Sequence, residues 1–324
     1  MLSFRESQEI INRELSGIQT TNEPRELYDP IAYVIGTGGK RLRPVLVLMS
    51  CEMFSGDYRD ALMPALGIEL FHNFTLLHDD IMDEAEIRRN RPTVHHKWNR
   101  NVAILSGDAM SIISHRYISA CDHAVLKPVL EMFSKTALQV CEGQQYDMNF
   151  EKQEHISTKE YLKMIELKTA VLIAASMGIG ALTGKASAHQ VEQAYQFGKN
   201  IGLAFQIRDD YLDVYGDPGV FGKMIGQDIL ANKKTYLLTR SLELARGGLR
   251  KELLQWLSAG DPDPDEKINA IRNIYRELDI EKLTASAMDE YYRNAVLHID
   301  RLDIPEDKKM EIRKMADKIP ERSN

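Results

Sequence analysis

His78-Asp79-Asp80-Ile81-Met82-Asp83 closes a run in which Leu66, Leu70, Phe74, Leu77 and Ile81 recur at intervals of three and four. That spacing predicts an α-helix. On it Asp79 and Asp83 lie one turn apart, with Asp80 beside them. Like charges so placed repel and weaken a helix, so an apolar helix has no structural use for them. A divalent cation supplies one, because Mg²⁺ takes carboxylate oxygens. The pattern returns at Asp209-Asp210-Tyr211-Leu212-Asp213, after the apolar run Ile201 to Phe205. One Asp-Asp-x-x-Asp arises by chance roughly once in ten chains of this length. Two of them, each closing an apolar helix, mark a site.

The 324 residues carry a net charge of −7, with a pI of about 5.8. Nothing in that balance suggests nucleic acid or an anionic membrane surface as a partner, and the basic residues that matter are local clusters. Cys51, Cys121 and Cys141 have no close metal-type spacing and leave one thiol unpaired in any disulfide scheme, which fits a reducing cytoplasm. Met1 to Gly17 mixes Arg5, Glu6, Glu9, Arg13 and Glu14 with apolar residues and reads as an amphipathic helix, not a signal peptide. The mild run Thr169 to Gly184 is too short and too rich in Gly, Ser and Thr for a membrane span. The expected protein is cytoplasmic and has no stable membrane insertion.

No proline occurs between Pro128 and Pro218, which permits long helices there. A second helical periodicity runs through Val191, Ala194, Tyr195, Gly198, Ile201 and Phe205. Sustained period-two alternation and Asn-Gly hairpin signals are both missing. The predicted helices fall at 3–17, 24–36, 43–54, 60–82, 93–120, 125–149, 158–183, 187–214, 234–246 and 248–258, with three more from 264 to 318. Punctuation comes at Gly36 to Gly39, Ser55 to Asp57, the charged stretch Asp83 to Pro92, and the Gly-rich stretch Gly216 to Gly226, the best candidate for a mobile loop. No Pro/Ser linker separates two halves. The expected architecture is all-α: one large helical bundle over 1–324 with a central cavity. The charged segment from about 261 onward, without a site-like cluster, reads as outer helices or a packing surface.

Two acidic helix ends can share a bundle interior, where bundles commonly build metal sites. Six carboxylates in one cavity do not all stay ionised without cations, and Mg²⁺ is usually bound by a few carboxylates plus substrate phosphates. A diphosphate ligand is therefore implied. The chain offers it Arg88 and Arg89 after the first motif, Lys168 in the middle of an apolar helix, Lys223 in the Gly-rich stretch, and Lys233 with Lys234. Gly38-Gly39-Lys40-Arg41-Leu42-Arg43-Pro44 adds a basic turn in which glycines permit close backbone approach and Arg43 can bind bidentately. This is not a P-loop, since Arg41 stands where Ser or Thr would follow the lysine and no strand precedes it.

Together these motifs resemble the trans-isoprenyl diphosphate synthases, the polyprenyl synthetase family, from Gly38 to about Thr235. The match comprises Gly38 to Pro44, Glu69-x-x-His72, Asp79-Asp80-x-x-Asp83 with Arg88-Arg89-x-x-Pro92-Thr93, Gly107-Asp108, and Glu142-Gly143-Gln144. It continues through Lys168-Thr169, Phe205-Gln206-x-x-Asp209-Asp210-x-x-Asp213, and Gly222-Lys223 to Asp228 with Lys233. The resemblance implies a mainly dimeric all-α fold of isoprenoid-synthase type and head-to-tail prenyl transfer. An allylic diphosphate bound through three Mg²⁺, for which Mn²⁺ is a conceivable substitute, ionises; isopentenyl diphosphate attacks the cation; a proton leaves to the departing diphosphate. By position, Asp79, Asp83 and Asp209 would bind metal directly, with Asp80, Asp210 and Asp213 holding geometry or metal-bound waters. Arg88, Lys168, Lys223 and Lys233 would hold the allylic diphosphate. Lys40, Arg43, His72 and Arg89 would hold isopentenyl diphosphate. Thr169 and Gln206 would offer oxygen dipoles to the developing cation.

Phe74 and Thr75, five and four residues before Asp79, lie roughly 6–8 Å further along the helix, where a growing prenyl tail would pass. Phe71 would narrow the tunnel further down. In the family a bulky residue at the Phe74 position accompanies products of fifteen or twenty carbons, so a short product, farnesyl or geranylgeranyl diphosphate, is expected. Competing readings are a class I terpene cyclase and a non-catalytic subunit of a heteromeric prenyl synthase. The doubled aspartate motif and the Lys40–Arg43 cations count against the first, and the intact aspartates against the second. A di-iron bundle, suggested by Glu69-x-x-His72, lacks the second such pair.

Overall fold

The protein is described by a computed structural model over residues 1–18, 22–54, 57–216 and 225–317. The helices are α1 (Phe4–Ser16), α2 (Arg25–Gly36), α3 (Leu42–Phe54), α4 (Leu62–Met82), α5 (Val94–Lys97), α6 (Arg100–Ile118) and α7 (His123–Glu151). After them come α8 (Thr158–Ile165), α9 (Val171–Thr183), α10 (Ala188–Tyr215), α11 (Gln227–Leu230), α12 (Tyr236–Leu244), α13 (Gly247–Ser258), α14 (Pro264–Glu277), α15 (Ile280–Asp300) and α16 (Glu306–Asp317). The only sheet among the described residues is a two-residue antiparallel ladder, β1 (Ile87–Arg88) with β2 (Arg91–Pro92), register Ile87↔Pro92. It falls in the charged stretch expected to be loop. Arg89 and Asn90 at its tip have φ of 52° and 59°, the left-handed pair that a two-residue hairpin turn demands.

Local signals set the helix ends. Ser3 and Ser157 each form a capping box, with Glu6 and Glu160, so that two orphan helical N–H groups are satisfied reciprocally. The helix predicted over 93–120 breaks at Trp98, because the Asn99 side chain accepts the Val102 N–H and starts α6 afresh. The helix predicted over 158–183 is one run, but Glu166–Ala170 is a π turn.

The chain folds as two compact units. The first comprises Met1–Thr136, Ile173–Tyr195 and Leu302–Ile312. Its α3 is buried from Pro44 through Met53, and each large side chain there contributes about 1.5–3 kcal/mol. The helix α4 packs chiefly on α6 and α3. A Cβ at Gly67 would come within 2.8 Å of Ile118, so glycine is what lets α6 lie this close.

The second unit comprises Ala137–Leu172, Gln196–Arg301 and the described residues of Arg313–Asn324. It has one core cluster around Tyr161, Ile165, Leu203 and Ile207, and another around Val214, Leu237, Leu253, Ile271 and Tyr275. The stretch Thr158–Thr183 is long and apolar enough to cross a membrane by length and composition alone. However, 78% of its most apolar window is buried inside the protein.

Candidate active site

In the first unit, the end of α4 carries the first aspartate motif. Asp80 is buried, Asp79 half-buried and Asp83 exposed. Arg88, brought back by the β1–β2 turn, donates to Asp80 at 2.6 Å and reaches Asp79 at 3.4 Å. Burial pushes the Asp80 carboxyl above its ordinary range, against the pull of Arg88. Asp80 is thus committed to an internal partner, while Asp79 and Asp83 lie nearer solvent.

Beside that motif lies a cationic nest. Arg43 donates to His72 Nε2 at 3.1 Å. A guanidinium only donates, so Nε2 is the acceptor and the imidazole proton sits on Nδ1. Burial, then Arg43, Arg89, Arg88 and Arg41 in that order, hold His72 well below its usual range, so the ring is neutral. Burial likewise pulls Arg43 down to about 10, and it remains a cation at neutral pH. Its Nε is buried without a hydrogen-bond partner, an orphan donor of the kind that a bound anion would satisfy.

Arg89 folds over the basic turn, donating to the Gly38 carbonyl and to Thr37 Oγ1. Gly39 has φ of 142°, and a Cβ there would meet the Arg89 guanidinium at 3.0 Å. Lys40 is exposed on the same turn, with its carbonyl held by Gln8. The four residues read as isopentenyl-diphosphate ligands thus belong to one neighbourhood. Glu69, engaged by Arg41 at 2.6 Å, offsets part of this charge and partly counters the effect of burial on Arg43 and Arg89.

The second unit carries the other motif on α10. Asp209 is exposed; Asp210 and Asp213 are buried. Asp210 Oδ2 accepts the Tyr161 hydroxyl and, at 2.9 Å, the Tyr236 N–H. Its other oxygen accepts from Gln206 at 3.3 Å, and Thr169 donates to Gln206 at 3.3 Å. Burial nevertheless pushes Asp210 up to about 7, with Asp228 adding repulsion. Its full ionisation at neutral pH therefore depends on cations nearby. Lys233 is one: burial lowers its pKa, but Asp228, Asp210, Asp147 and Asp209 together outweigh burial and hold it charged. Asp213 accepts the Asp228 N–H at 3.0 Å and turns inward.

Lys168 and Thr169 sit on the π turn, a local widening that often marks functional sites. Lys168 pairs with Asp147 at 2.6 Å. Two glycines let the neighbouring helices close on this turn. A Cβ at Gly143 would collide with the Lys168 backbone, and one at Gly202 would lie 2.6 Å from Ala170 Cα. Lys223 and Gly222 fall outside the described residues, as does most of the Gly-rich stretch.

Of the three residues read as setting product length, Phe71 is buried, its ring 5.2 Å from Phe133 and 5.5 Å from Phe74. Phe74 is half-buried against His78, at 4.8 Å, and Thr75 donates to the His72 carbonyl. Asp147 and Tyr161 were not identified from sequence. Asp147 lies four residues after Gly143, on the face that meets the Lys168 turn, and Tyr161 lies seven before Lys168; those intervals were the available signals.

Among the described residues, no three His, Cys, Asp or Glu side chains form a ready-made metal cage. The donor set still suits Mg²⁺, a hard cation that binds through a few carboxylates and completes its shell with water and phosphate.

The Polyprenyl synthetase family profile matches residues 24–275. A short chain isoprenyl diphosphate synthase of Methanothermobacter thermautotrophicus is 42% identical over 239 residues, covering 74% of each chain. A geranylgeranyl diphosphate synthase of Methanosarcina mazei is 38% identical over 235 residues, covering 72% of each. A crystal structure of a geranylgeranyl pyrophosphate synthase superposes with a TM-score of 0.94 at 41% identity, covering 98% of both chains.

Proposed function

The chain belongs to the polyprenyl synthetase family, and on that premise we propose that it condenses isopentenyl diphosphate with an allylic diphosphate, head to tail, to a product of fifteen or twenty carbons. The observation that carries the proposal is the neutral, cation-ringed His72 nest set beside an intact aspartate motif. A prenyl elongase needs a second diphosphate site of this kind and a terpene cyclase does not.

Asp79, Asp83 and Asp209 would hold Mg²⁺, three ions with Mn²⁺ as a substitute, which when bound neutralises charge on the departing diphosphate. Arg88, Lys168 and Lys233, with Lys223 from outside the described residues, bind the allylic diphosphate. Lys40, Arg43 and Arg89 bind isopentenyl diphosphate, and His72, held neutral, hydrogen-bonds without adding charge. The allylic C–O bond breaks and its electron pair leaves with the diphosphate. The double bond of isopentenyl diphosphate supplies the pair for the new C–C bond, and the proton lost passes to the diphosphate. The oxygens of Thr169 and Gln206 face the positive charge that develops, a preorganised electrostatic contribution.

The same reading places the enzyme in the cytoplasm as a homodimer. Ile104, Leu105 and Ile112 are exposed on α6, and a second copy would cover them. Light scattering at the mass of one chain would remove that part of the proposal.

The direct test incubates purified protein with Mg²⁺, labelled isopentenyl diphosphate and each short allylic diphosphate, then sizes the dephosphorylated products. A ladder ending at fifteen or twenty carbons is expected. Mg²⁺-dependent diphosphate release without elongation would indicate a cyclase. In the same assay Phe74→Ala lengthens the product, because on this reading its half-buried ring stands five residues before Asp79, where the growing tail would pass. An unchanged ladder would return Phe74 to the core.

A further inference from the structure

The segment from Gly226 to Thr235 joins the second aspartate motif to α12 and carries Lys233. Its upstream end is tied to the motif: Gly226 N–H bonds the Asp213 carbonyl at 2.6 Å, and Asp228 N–H bonds the Asp213 carboxylate. Its downstream end is held from elsewhere, by α14. Lys267 is only 2% exposed. Its Nζ donates to Asn232 Oδ1 at 2.8 Å and to the Leu230 carbonyl at 3.2 Å, one of the carbonyls left without a partner where α11 ends. No carboxylate pairs with it among the described residues.

Burying an ammonium with only neutral acceptors is expensive, and an apolar side chain would pack here at less cost. What the ammonium does that an apolar group cannot is fix the Asn232 amide. Asn232 Nδ2 donates to the Leu257 carbonyl at 3.0 Å, so both ends of the amide have a forced assignment: an ammonium only donates and a carbonyl only accepts. Asn232 has φ of 52°, a left-handed turn that asparagine tolerates better than most residues. That turn immediately precedes Lys233, whose N–H bonds the Asp228 carbonyl at 2.9 Å and whose Nζ lies 3.6 Å from the Asp228 carboxylate. Alongside, Ile268 packs so closely on Gly226 that a Cβ would come within 2.8 Å.

We infer that Lys267 is a positioning residue for prenyl transfer, fixing through Asn232 the turn that presents Lys233 to the allylic diphosphate. The α14 helix, which carries none of the site motifs, thereby acts as a splint for a substrate-binding segment. The inference rests on the assignment of Lys233 to that diphosphate.

Lys267→Met tests it. The KM for the allylic substrate rises on the order of tenfold, as expected for a small displacement of a binding group, while the KM for isopentenyl diphosphate is unchanged. In a Lys233→Ala background, Lys267→Met adds no further rise. Asn232→Gly, which keeps the left-handed turn but removes the acceptor, gives the same signature and carries the test if Lys267→Met does not fold. Hydrogen exchange at the Lys233 amide accelerates in both variants. Equal losses for both substrates, additive effects with Lys233→Ala, or unchanged kinetics would overturn the inference. An unaltered allylic KM in Lys233→Ala alone would refute the Lys233 assignment; the amide exchange then still decides whether Lys267 holds the turn.

Discussion

Asp79→Ala lowers turnover by about 10³-fold and raises the Mg²⁺ concentration needed for half-maximal rate, whereas Asp80→Asn leaves that concentration close to wild type. The two carboxylates are adjacent in sequence but differ in commitment. Asp80 is buried and bonded to Arg88 at 2.6 Å, while Asp79 is the more exposed of the two and touches Arg88 only at 3.4 Å. Removing Asp79 takes away the more exposed carboxylate, the one read as a metal ligand. Neutralising Asp80 instead loosens Arg88, so its cost appears in the KM for the allylic diphosphate. Steady-state kinetics over a Mg²⁺ titration separate the two cases. If both variants shift the Mg²⁺ requirement equally, Asp80 is a direct ligand and the division fails.

The aspartate motifs were legible in the sequence because they contradict their surroundings: acidic triplets at helical spacing on otherwise apolar helices. Long-range partners were not legible. Asp210 reads as one more carboxylate in a row, yet its environment is set by Tyr161 and by the Tyr236 N–H, 49 and 26 residues away. The helices followed from period and caps, and their ends agree closely with expectation. The exceptions have local causes. Asn99 can cap a new helix or continue an old one, and periodicity does not decide between them. The β1–β2 ladder is too short for any alternation to show. The π turn at Lys168 leaves no periodic trace either, and Gly143 and Gly202, which make room for it, read in sequence as ordinary weak helix formers.

The Arg41–Glu69 ion pair carries the largest expected effect on stability. Glu69-x-x-His72 has the spacing of a di-iron site, a reading that fails for want of a second pair, and the Glu69 carboxylate is engaged by Arg41, both side chains being 3% exposed. Arg41 also donates to Asn12 on α1 at 3.2 Å and to the Ile35 carbonyl of α2 at 2.8 Å, while Asn73 donates to Glu69 at 3.0 Å. One guanidinium therefore ties α1, α2 and α4 together at the base of the turn that presents Lys40. It does so from a left-handed residue, φ 52°, a conformation that costs on the order of 1 kcal/mol or more for a non-glycine residue and persists because these bonds enforce it. Arg41→Met leaves a buried carboxylate without its charge partner and destabilises by about 3–5 kcal/mol, read as a lower urea midpoint. The double variant Arg41→Met/Glu69→Met removes both charges and recovers part of that loss, since two apolar side chains can fill the space the ions leave. Additive losses in the double variant would mean that the two side chains act independently, and the ion pair would not then be what holds the three helices.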